Sequence, residues 1–417
     1  MTQWLRPVAL ILLWPLTAAA TERALSLEAA VGQALGNAPQ LDARAANVDA
    51  TRSLVVSAGR LPDPELIVGI DDLPINGPDA YSFTRDSFTM RGIGVMQEFP
   101  SAAKRRLRHQ RAAADADIAE AELMQVRLDI AREVSQAWIR RATAETSLAE
   151  LRALEPEVEL QAAVARAAVS AGRSSSAEGL AAEAAVVQLA NRVLRMESEV
   201  RNATFELARW IPADAAAQPL ALMPSLDQLP TSAAELLATV HEHGPLLLFE
   251  SRTTAARIDV DLARAERRPD WSAELTFAKR GPAFSDMVSL QVRIGLPLFA
   301  RYRQDPVVSA RHADLRRLQA EREAELRMHT ATLRQMLTEW ERIGQQLNRY
   351  EQDLLPLARE RTRTALASFR AGRTDLRLAL DAFAQEVDLV IEHAELRNER
   401  GRAWAYLRYV SLPQPHR

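Results

Sequence analysis

The chain contains one segment twice, 200 residues apart, and this internal duplication constrains its fold more than any other feature. Residues 154–173 (LEPEVELQAAVARAAVSAGR) align without a gap to residues 354–373 (LLPLARERTRTALASFRAGR), and seven of the twenty positions are identical. The register also holds downstream, where Leu180, Val187, Glu199, Ala203 and Leu207 match Leu380, Val387, Glu399, Ala403 and Leu407. A repeat of this length indicates one structural module used twice.

Each copy predicts the same order of elements: a helix, two strands, a very long helix, a tight turn and a returning helix. The hydrophobic period changes from helical to two after Pro62 and Pro64 in the first copy and after Pro269 in the second. We predict first helices over residues 25–58, with Ser26 as N-cap, and over residues 232–268. Strands are predicted near residues 64–71, 87–97, 271–279 and 287–296. Uninterrupted helical tracts follow over residues 102–170 and 306–370, and the returning helices cover residues 177–210 and 375–410. The turns fall at 171–175 and 371–375.

These elements predict a division of the chain into two structural repeats. The first repeat covers residues 21–211 and the second covers residues 231–410. A proline-rich linker over residues 212–230 separates them, and residues 411–417 form a C-terminal tail. At a rise of about 1.5 Å per residue, each long helical tract would span roughly 100 Å, which is far beyond the length of a globular core helix.

The N-terminus predicts export of the chain. Residues 1–20 (MTQWLRPVALILLWPLTAAA) contain a single basic residue, Arg6, then a short apolar core and small residues, which is typical of a secretory signal cleaved near Ala20. The apolar core is too short for a membrane-spanning helix, and no later stretch approaches that length without charge. The chain has no cysteine, which excludes disulfides, thiolate metal sites and a lipid-modified N-terminal cysteine. A net charge of −3, without a basic field, excludes nucleic acid as a partner.

The four predicted strands have the length and the alternation of outer-membrane barrel strands. Trp271, Leu275 and Phe277 alternate with polar residues in the third strand, for example. Four strands cannot close a barrel, and open sheet edges are not tolerated in lipid, so the chain must oligomerise. The pattern therefore predicts a tube anchored in the outer membrane whose helical turns lie far from the strands, across the periplasm.

The order of elements, the duplication and the stretch Arg370-Ala371-Gly372-Arg373-Thr374-Asp375-Leu376 resemble the TolC family of outer-membrane efflux channels. The phrases LPDPEL over residues 61–66 and QEFP over residues 97–100 look like the heavy-metal branch of the Cus and Czc type. The resemblance covers nearly the whole mature chain. It implies a mainly α fold with a small β part: a long coiled-coil α-hairpin barrel, with four strands per protomer contributing to a trimeric, twelve-stranded outer-membrane β-barrel.

The resemblance also implies partners and a role. The homotrimer would dock through its turns onto a periplasmic membrane-fusion adaptor and an inner-membrane RND pump, and would passively conduct substrate, heavy-metal cations in this branch. Two alternatives stay open. The same channel could serve drug efflux or type I protein secretion, or the chain could be a periplasmic coiled-coil scaffold or adaptor without a pore, although a scaffold would not need four alternating strands.

Gly172 and Gly372 are predicted to form the two helical turns, because glycine accepts positive φ without a Cβ clash. With Arg173 and Arg373 they form the exposed end, where the resemblance implies adaptor docking.

Three carboxylates are candidates for lining the aperture. Asp381 lies nine residues after Gly372, where the resemblance implies an aperture aspartate, and Asp375 and Glu178 could contribute. Another position common in the family carries Leu378 here. A ring of symmetry-related carboxylates would repel itself or select cations, although each residue also fits a solvated helix charge.

Basic and aromatic residues beside the strands are candidates for contact with outer-membrane lipid. Cations near a helix N-terminus oppose its dipole, so helix stability does not explain them, whereas lipid headgroups or a solvated collar would. The candidates are Trp271, Lys104, Arg105, Arg106, Arg108, Arg301 and Arg303.

No pattern of residues predicts a catalytic site, a metal site or a cofactor, so we do not expect an enzyme. His241 and His243 form a His-x-His pair, but no further ligands stand at ligand spacing, which favours structural or surface histidines. The chain has no phosphate-binding glycine loop, nucleophile elbow or zinc-protease motif.

Overall fold

The computed structural model describes residues 24–411. The signal sequence predicted over residues 1–20 lies outside the described residues, as do all but the first residue of the predicted tail. Among the helices of the described range, none is long and apolar enough to cross a membrane.

The two repeats have matching elements. The first repeat contains α1 (Leu27–Asn37), α2 (Pro39–Ala58), β1 (Glu65–Asp71), β2 (Met90–Phe99), α3 (Ala102–Ala153), α4 (Glu155–Ser170) and α5 (Ser176–Leu207), followed by the short α6 (Ala213–Ala216). The second contains α7 (Ala233–Ala238), a 3₁₀ turn (Val240–Glu242), α8 (Gly244–Ala265), β3 (Trp271–Lys279), β4 (Met287–Ile294), α9 (Ala300–Arg349), a π-helical turn (Tyr350–Leu354), α10 (Leu355–Arg370) and α11 (Leu376–Arg408).

The first helix of each repeat is interrupted where we predicted one continuous helix. Pro39 begins α2 and Pro245 lies in the first turn of α8. Proline cannot donate a backbone hydrogen bond and pushes the preceding residue out of helical geometry, so each helix must end and restart there. Ser26 caps α1 as predicted, because its hydroxyl accepts a hydrogen bond of 3.1 Å from the Ala29 N–H.

The long tracts are also not continuous, which corrects the prediction. Leu154 separates α3 from α4, and the π-helical turn separates α9 from α10. In both copies the interruption ends two residues before a proline, Pro156 or Pro356, whose ring would clash with the preceding helical turn. Helix α9 starts at Ala300, so Pro306, our predicted start, lies inside the helix.

The four strands form one antiparallel sheet in the order β1-β2-β3-β4. Glu65 pairs with Met96 in the first hairpin, Trp271 pairs with Ile294 in the second, and Phe99 pairs with Trp271 where the two hairpins meet. Strands β1 and β4 are the edges of the sheet, and neither has a second neighbouring strand within residues 24–411. Large apolar side chains of the sheet are exposed, among them Leu66, Val68, Ile93, Val95, Leu275, Phe277, Val288, Leu290, Val292 and Ile294.

The helices pack the two repeats against each other. Trp138 of α3 and Trp404 of α11 are almost completely buried in one core cluster, and their indole N–H groups donate to the carbonyls of Leu25 and Gln228. Towards the turns the core narrows to alanines from both hairpins, including Ala165, Ala182, Ala365 and Ala379. Small side chains allow close helix approach, which keeps the two helical hairpins side by side as far as their ends.

Candidate functional site

The two hairpin turns have the same backbone geometry. Gly172 has a φ of 67° and Gly372 has a φ of 69°. In the first turn the Arg173 N–H donates to the Ala168 carbonyl at 2.8 Å, and in the second the Arg373 N–H donates to the Ser368 carbonyl at 3.0 Å. These bonds define Schellman motifs, which satisfy the last carbonyls of α4 and α10. The turns are exposed, as their predicted role as a docking end requires.

The carboxylate of Glu178 has a local structural role at the start of α5. It accepts hydrogen bonds from the Ser174 hydroxyl and from the Ser175 N–H, the latter at 2.8 Å, while the Ser175 hydroxyl accepts one from the Glu178 N–H. The Ser174 bond, followed by the Ser175 backbone bond, lowers the pKa of Glu178. This capping box holds the negative charge at the positive end of the helix dipole.

Glu178 and Asp381 line the same groove between α5 and α11, together with Arg192 and Arg377. The Asp381 carboxylate lies 3.9 Å from the Arg377 guanidinium, one helical turn away, and both side chains are exposed. Asp375 occupies the N-cap position of α11, and within the described residues its side chain makes no capping hydrogen bond. The structure therefore brings two of the three aperture candidates together, and their role in an aperture stays a prediction.

Sequence reasoning missed an exposed apolar stripe on α5. Leu180, Val187 and Leu194 are 67%, 60% and 59% exposed, and they follow one another at intervals of seven residues. This spacing places them on one face of the helix, opposite the buried Ala182 and Leu189. The heptad interval is visible in the sequence, but the sequence does not reveal that the protomer leaves this face uncovered.

Lys104, which we predicted to contact lipid, is buried within the protomer, so its ammonium is not free to meet lipid headgroups. The residue is only 2% exposed, and its ammonium contacts the carboxylates of Asp270 at 2.7 Å and Glu266 at 3.0 Å. The Ser101 N–H donates to the other oxygen of Asp270 at 3.0 Å. The cluster connects the start of α3, just after β2, with the end of α8, just before β3. It therefore holds the two repeats together beside the sheet.

The pKa values of this cluster favour the ionised pair. Burial acts to lower the pKa of Lys104, but hydrogen bonds to Asp270 and Glu266 outweigh it and raise the pKa above its ordinary value. Burial acts to raise the pKa of Asp270, but the hydrogen bonds from Lys104 and Ser101 outweigh it and lower that pKa. Both groups are therefore charged at neutral pH.

The other interface candidates are more exposed than Lys104. Arg106 is exposed and Arg105 is half-buried. The ring of Trp271 stacks on Phe99 with centroids 4.2 Å apart and is still 45% exposed, which suits a residue at the end of a barrel strand. Contact of these side chains with lipid stays a prediction.

The two histidines of the His-x-His motif lie in different environments, one on the surface and one in the interior, in line with the expectation of structural or surface histidines. His241 is exposed, whereas His243 is fully buried, and the Nδ1 of His243 lies 2.9 Å from the Nε2 of His329 in α9. Burial, followed by the charge of His329, lowers the pKa of His243 to about 4. In residues 24–411 no group of three or more histidines and carboxylates could hold a metal ion.

A sheet with two open edges and an exposed apolar surface, joined to two long helical hairpins, defines the class of outer-membrane channel protomers. Residues 30–211 match the family model described as outer membrane efflux protein. The match falls on the first repeat, and the second repeat has the same order of helices and strands. The family model that matches the first repeat describes an efflux protein, and the fold of the chain is that of solved outer-membrane proteins.

Several known proteins are similar to this chain over most of its length. The cobalt-zinc-cadmium resistance protein CzcC of Cupriavidus metallidurans is 26% identical over 373 residues, which cover 86% of this chain and 83% of that protein. The outer membrane protein VceC of Vibrio cholerae has the same fold, with a TM-score of 0.77 at 17% identity, covering 92% of this chain and 96% of VceC. The transmembrane channel CusC matches with a TM-score of 0.75 at 15% identity and covers 92% of each chain.

Proposed function

We propose that this chain is one protomer of a homotrimeric exit duct in the outer membrane, which extends into the periplasm and conducts metal cations out of the cell. In this proposal the signal predicted over residues 1–20 directs export. The duct carries out no reaction, and the energy for transport comes from an inner-membrane RND pump.

The unpaired strand edges are the observation that carries the proposal. Strands β1 and β4 each leave one row of backbone groups unpaired within the described residues, and the sheet exposes apolar side chains. In lipid each unpaired group costs several kcal/mol, so the edges must pair with other copies. Three copies supply twelve strands, enough for a closed barrel. A water-soluble scaffold would have no use for such a sheet.

The exposed turns support docking of a periplasmic adaptor. Arg173 and Arg373 lie next to the left-handed glycines and are both exposed, so each protomer presents two equivalent arginine-bearing turns. A helical hairpin of an adaptor that carries acidic residues would fit between them.

The cargo assignment rests on the relative whose name concerns cobalt, zinc and cadmium resistance. The groove near the turns places Glu178 and Asp381 beside Arg192 and Arg377, so its charges balance and do not themselves select the cargo.

Deleting the gene and measuring growth over a panel of metals, drugs and detergents tests the function. We expect sensitivity to cobalt, zinc, cadmium, copper or silver, with restoration by the wild-type gene. Sensitivity to drugs alone would contradict the metal cargo, and unchanged growth on every compound would contradict the efflux role.

Charge reversal at the turns tests adaptor docking separately. The double variant Arg173→Glu/Arg373→Glu is expected to reach the outer membrane as a trimer but to leave the deletion strain sensitive. Arg201→Glu, an exposed arginine of α5 far from the turns, is the matched control and should restore resistance. Full resistance with both variants would remove the turns from the docking surface.

A further inference from the structure

The Lys104–Asp270 ion pair marks the junction between the two hairpins of one sheet. It lies beside the pair Phe99 and Trp271, where β2 ends and β3 begins. Lys104 stands in the first turn of the helix that follows β2, and Asp270 stands directly before β3. The pair therefore fixes the place at which one strand hairpin meets the next.

The repeat predicts a second junction of the same kind. Asp63 in Pro62-Asp63-Pro64 corresponds to Asp270 in Pro269-Asp270-Trp271, so Pro64 corresponds to Trp271. Trp271 lies opposite Ile294, and extending the register of the first hairpin by one residue places Pro64 opposite Gln97. Gln97 therefore corresponds to Ile294.

The counterpart of Lys104 in the second repeat follows from the correspondence of Gln97 with Ile294. Without a gap, Pro100 corresponds to Pro297 and Lys104 corresponds to Arg301. Arg301 is in the first turn of α9, as Lys104 is in the first turn of α3, although α9 begins one residue later in this alignment. The repeat has thus kept an aspartate and a cation at both junctions, even though few other residues around them are the same.

Within one protomer Asp63 and Arg301 stand at opposite edges of the sheet. Asp63 precedes the edge strand β1, and Arg301 follows the edge strand β4. Both are exposed, and neither takes part in an ion pair within the part of the chain that the structure describes. The Arg301 guanidinium lies 5.9 Å from the ring centre of the neighbouring Tyr302.

We propose that Asp63 of one copy forms an ion pair with Arg301 of the adjacent copy, as the intermolecular counterpart of Lys104–Asp270. A second copy that continues the sheet places its β1 beside β4, in the way that β3 lies beside β2. Asp63 then approaches Arg301 as Asp270 approaches Lys104, and opposite charges meet at the junction. The pair specifies which edge joins which, because two copies inserted in the same orientation that met β1 to β1 would bring two aspartates together. This inference rests on the proposed oligomeric duct.

Thiol cross-linking tests the pair directly, because the chain has no cysteine of its own. The purified variant Asp63→Cys/Arg301→Cys, treated with a short bifunctional thiol reagent, should give dimers and trimers on a denaturing gel. The control Asp63→Cys/Arg327→Cys carries its second thiol on exposed α9 surface, roughly 40 Å further along the helix at about 1.5 Å per residue. We expect the first variant to cross-link about tenfold more than the control, since proximity raises the effective concentration.

Charge exchange gives a second readout that does not depend on cysteines. Asp63→Arg and Arg301→Asp should each lower the temperature at which the oligomer dissociates in detergent, and the double variant Asp63→Arg/Arg301→Asp should restore it. A stable oligomer by light scattering with neither cross-linking nor restoration would overturn the ion pair and leave the proposed duct standing. A wild-type chain that stays monomeric in detergent would overturn both.

Discussion

At the residue scale, the backbone conformation of the two turn glycines predicts whether replacing them raises or lowers the stability of the protein. Gly172→Ala and Gly372→Ala should each destabilise the protein by about 1 kcal/mol, because alanine is strained at positive φ although a Cβ at either position would meet nothing within 4 Å. Gly32→Ala is the matched control: it lies inside α1 with equally free space, and should stabilise by about 0.5–1 kcal/mol. Thermal denaturation in detergent followed by circular dichroism measures both, and equal effects at the two kinds of site would contradict the backbone explanation.

The buried ion pair makes a second prediction at this scale. Asp270→Asn removes the charge that faces Lys104 and should destabilise the protein by about 2–3 kcal/mol, because the ammonium stays buried with Glu266 as its remaining partner. Asp305→Asn is the control, since it breaks an ion pair of 2.7 Å with Arg267 in which both side chains are about half exposed. An exposed pair should contribute less than about 1 kcal/mol. If both variants lost similar amounts of unfolding free energy, burial would not explain the contribution of the Lys104–Asp270 pair to stability.

Lys104 shows where sequence reasoning stops at the residue scale. A lysine after a strand, opposing the dipole of the helix that it begins, is correctly noticed as unusual. Its partner Asp270 lies 166 residues away, and only the pairing of β2 with β3 brings the two together. The turn glycines were predictable because their requirement is local, whereas the environment of Lys104 is set by tertiary contact.

At the scale of elements, the contact between α8 and α9 makes the stability of the protein depend on pH. His243 is buried beside His329, and its pKa falls from 6.5 to about 4, so the folded protein favours the neutral ring. A lowered folded pKa contributes stability that is present above pH 6.5 and is lost as the pH falls towards 4. The loss approaches about 3 kcal/mol at the end of this range, at about 1.4 kcal/mol per pKa unit.

Unfolding midpoints measured between pH 7 and pH 4 test this dependence. His243→Gln should make the decline clearly shallower without abolishing it, because burial also lowers the pKa of His329, which keeps its own contribution. His241→Gln, on the exposed 3₁₀ turn two residues earlier, should leave the decline as in the wild type. A wild-type profile in the His243 variant would show that other groups cause the acid sensitivity.

Element boundaries were predictable only in part, and the prolines explain the errors. The turns, strands and returning helices followed from local glycines and from a change of hydrophobic period. Pro39, Pro156, Pro245 and Pro356 lie inside segments whose apolar pattern continues across them, and we extended the helices through them. Helical hydrogen bonding is interrupted near these prolines, but the pattern of core-facing apolar residues continues beyond them. The hydrophobic period alone therefore cannot locate the ends of the helices.

At the scale of the whole molecule, the duplication is what made the architecture predictable. A module that leaves strand edges open cannot be complete alone, and this follows from the alternation of the strands without any contact being known. The faces that remain uncovered in one protomer were not predictable, because an apolar position in a heptad looks the same whether its partner belongs to the same chain or to another.

The stripe of Leu180, Val187 and Leu194 is therefore expected to be buried when copies assemble. Leu357 and Leu378 of the second hairpin are also exposed and line a shallow groove, which offers a matching apolar surface on the adjacent copy. Burying a leucine or valine contributes about 1.5–3 kcal/mol, so Val187→Glu replaces a gain with the cost of a buried charge. The variant should keep its helical circular dichroism and lose the trimer in light scattering. Gln188→Glu, exposed on the same helix but about 100° around the helix axis from Val187, should keep the trimer. If Val187→Glu assembled as well as Gln188→Glu, the contact between copies would have to be made by the strands and by other helix faces, and the stripe would be free for the adaptor.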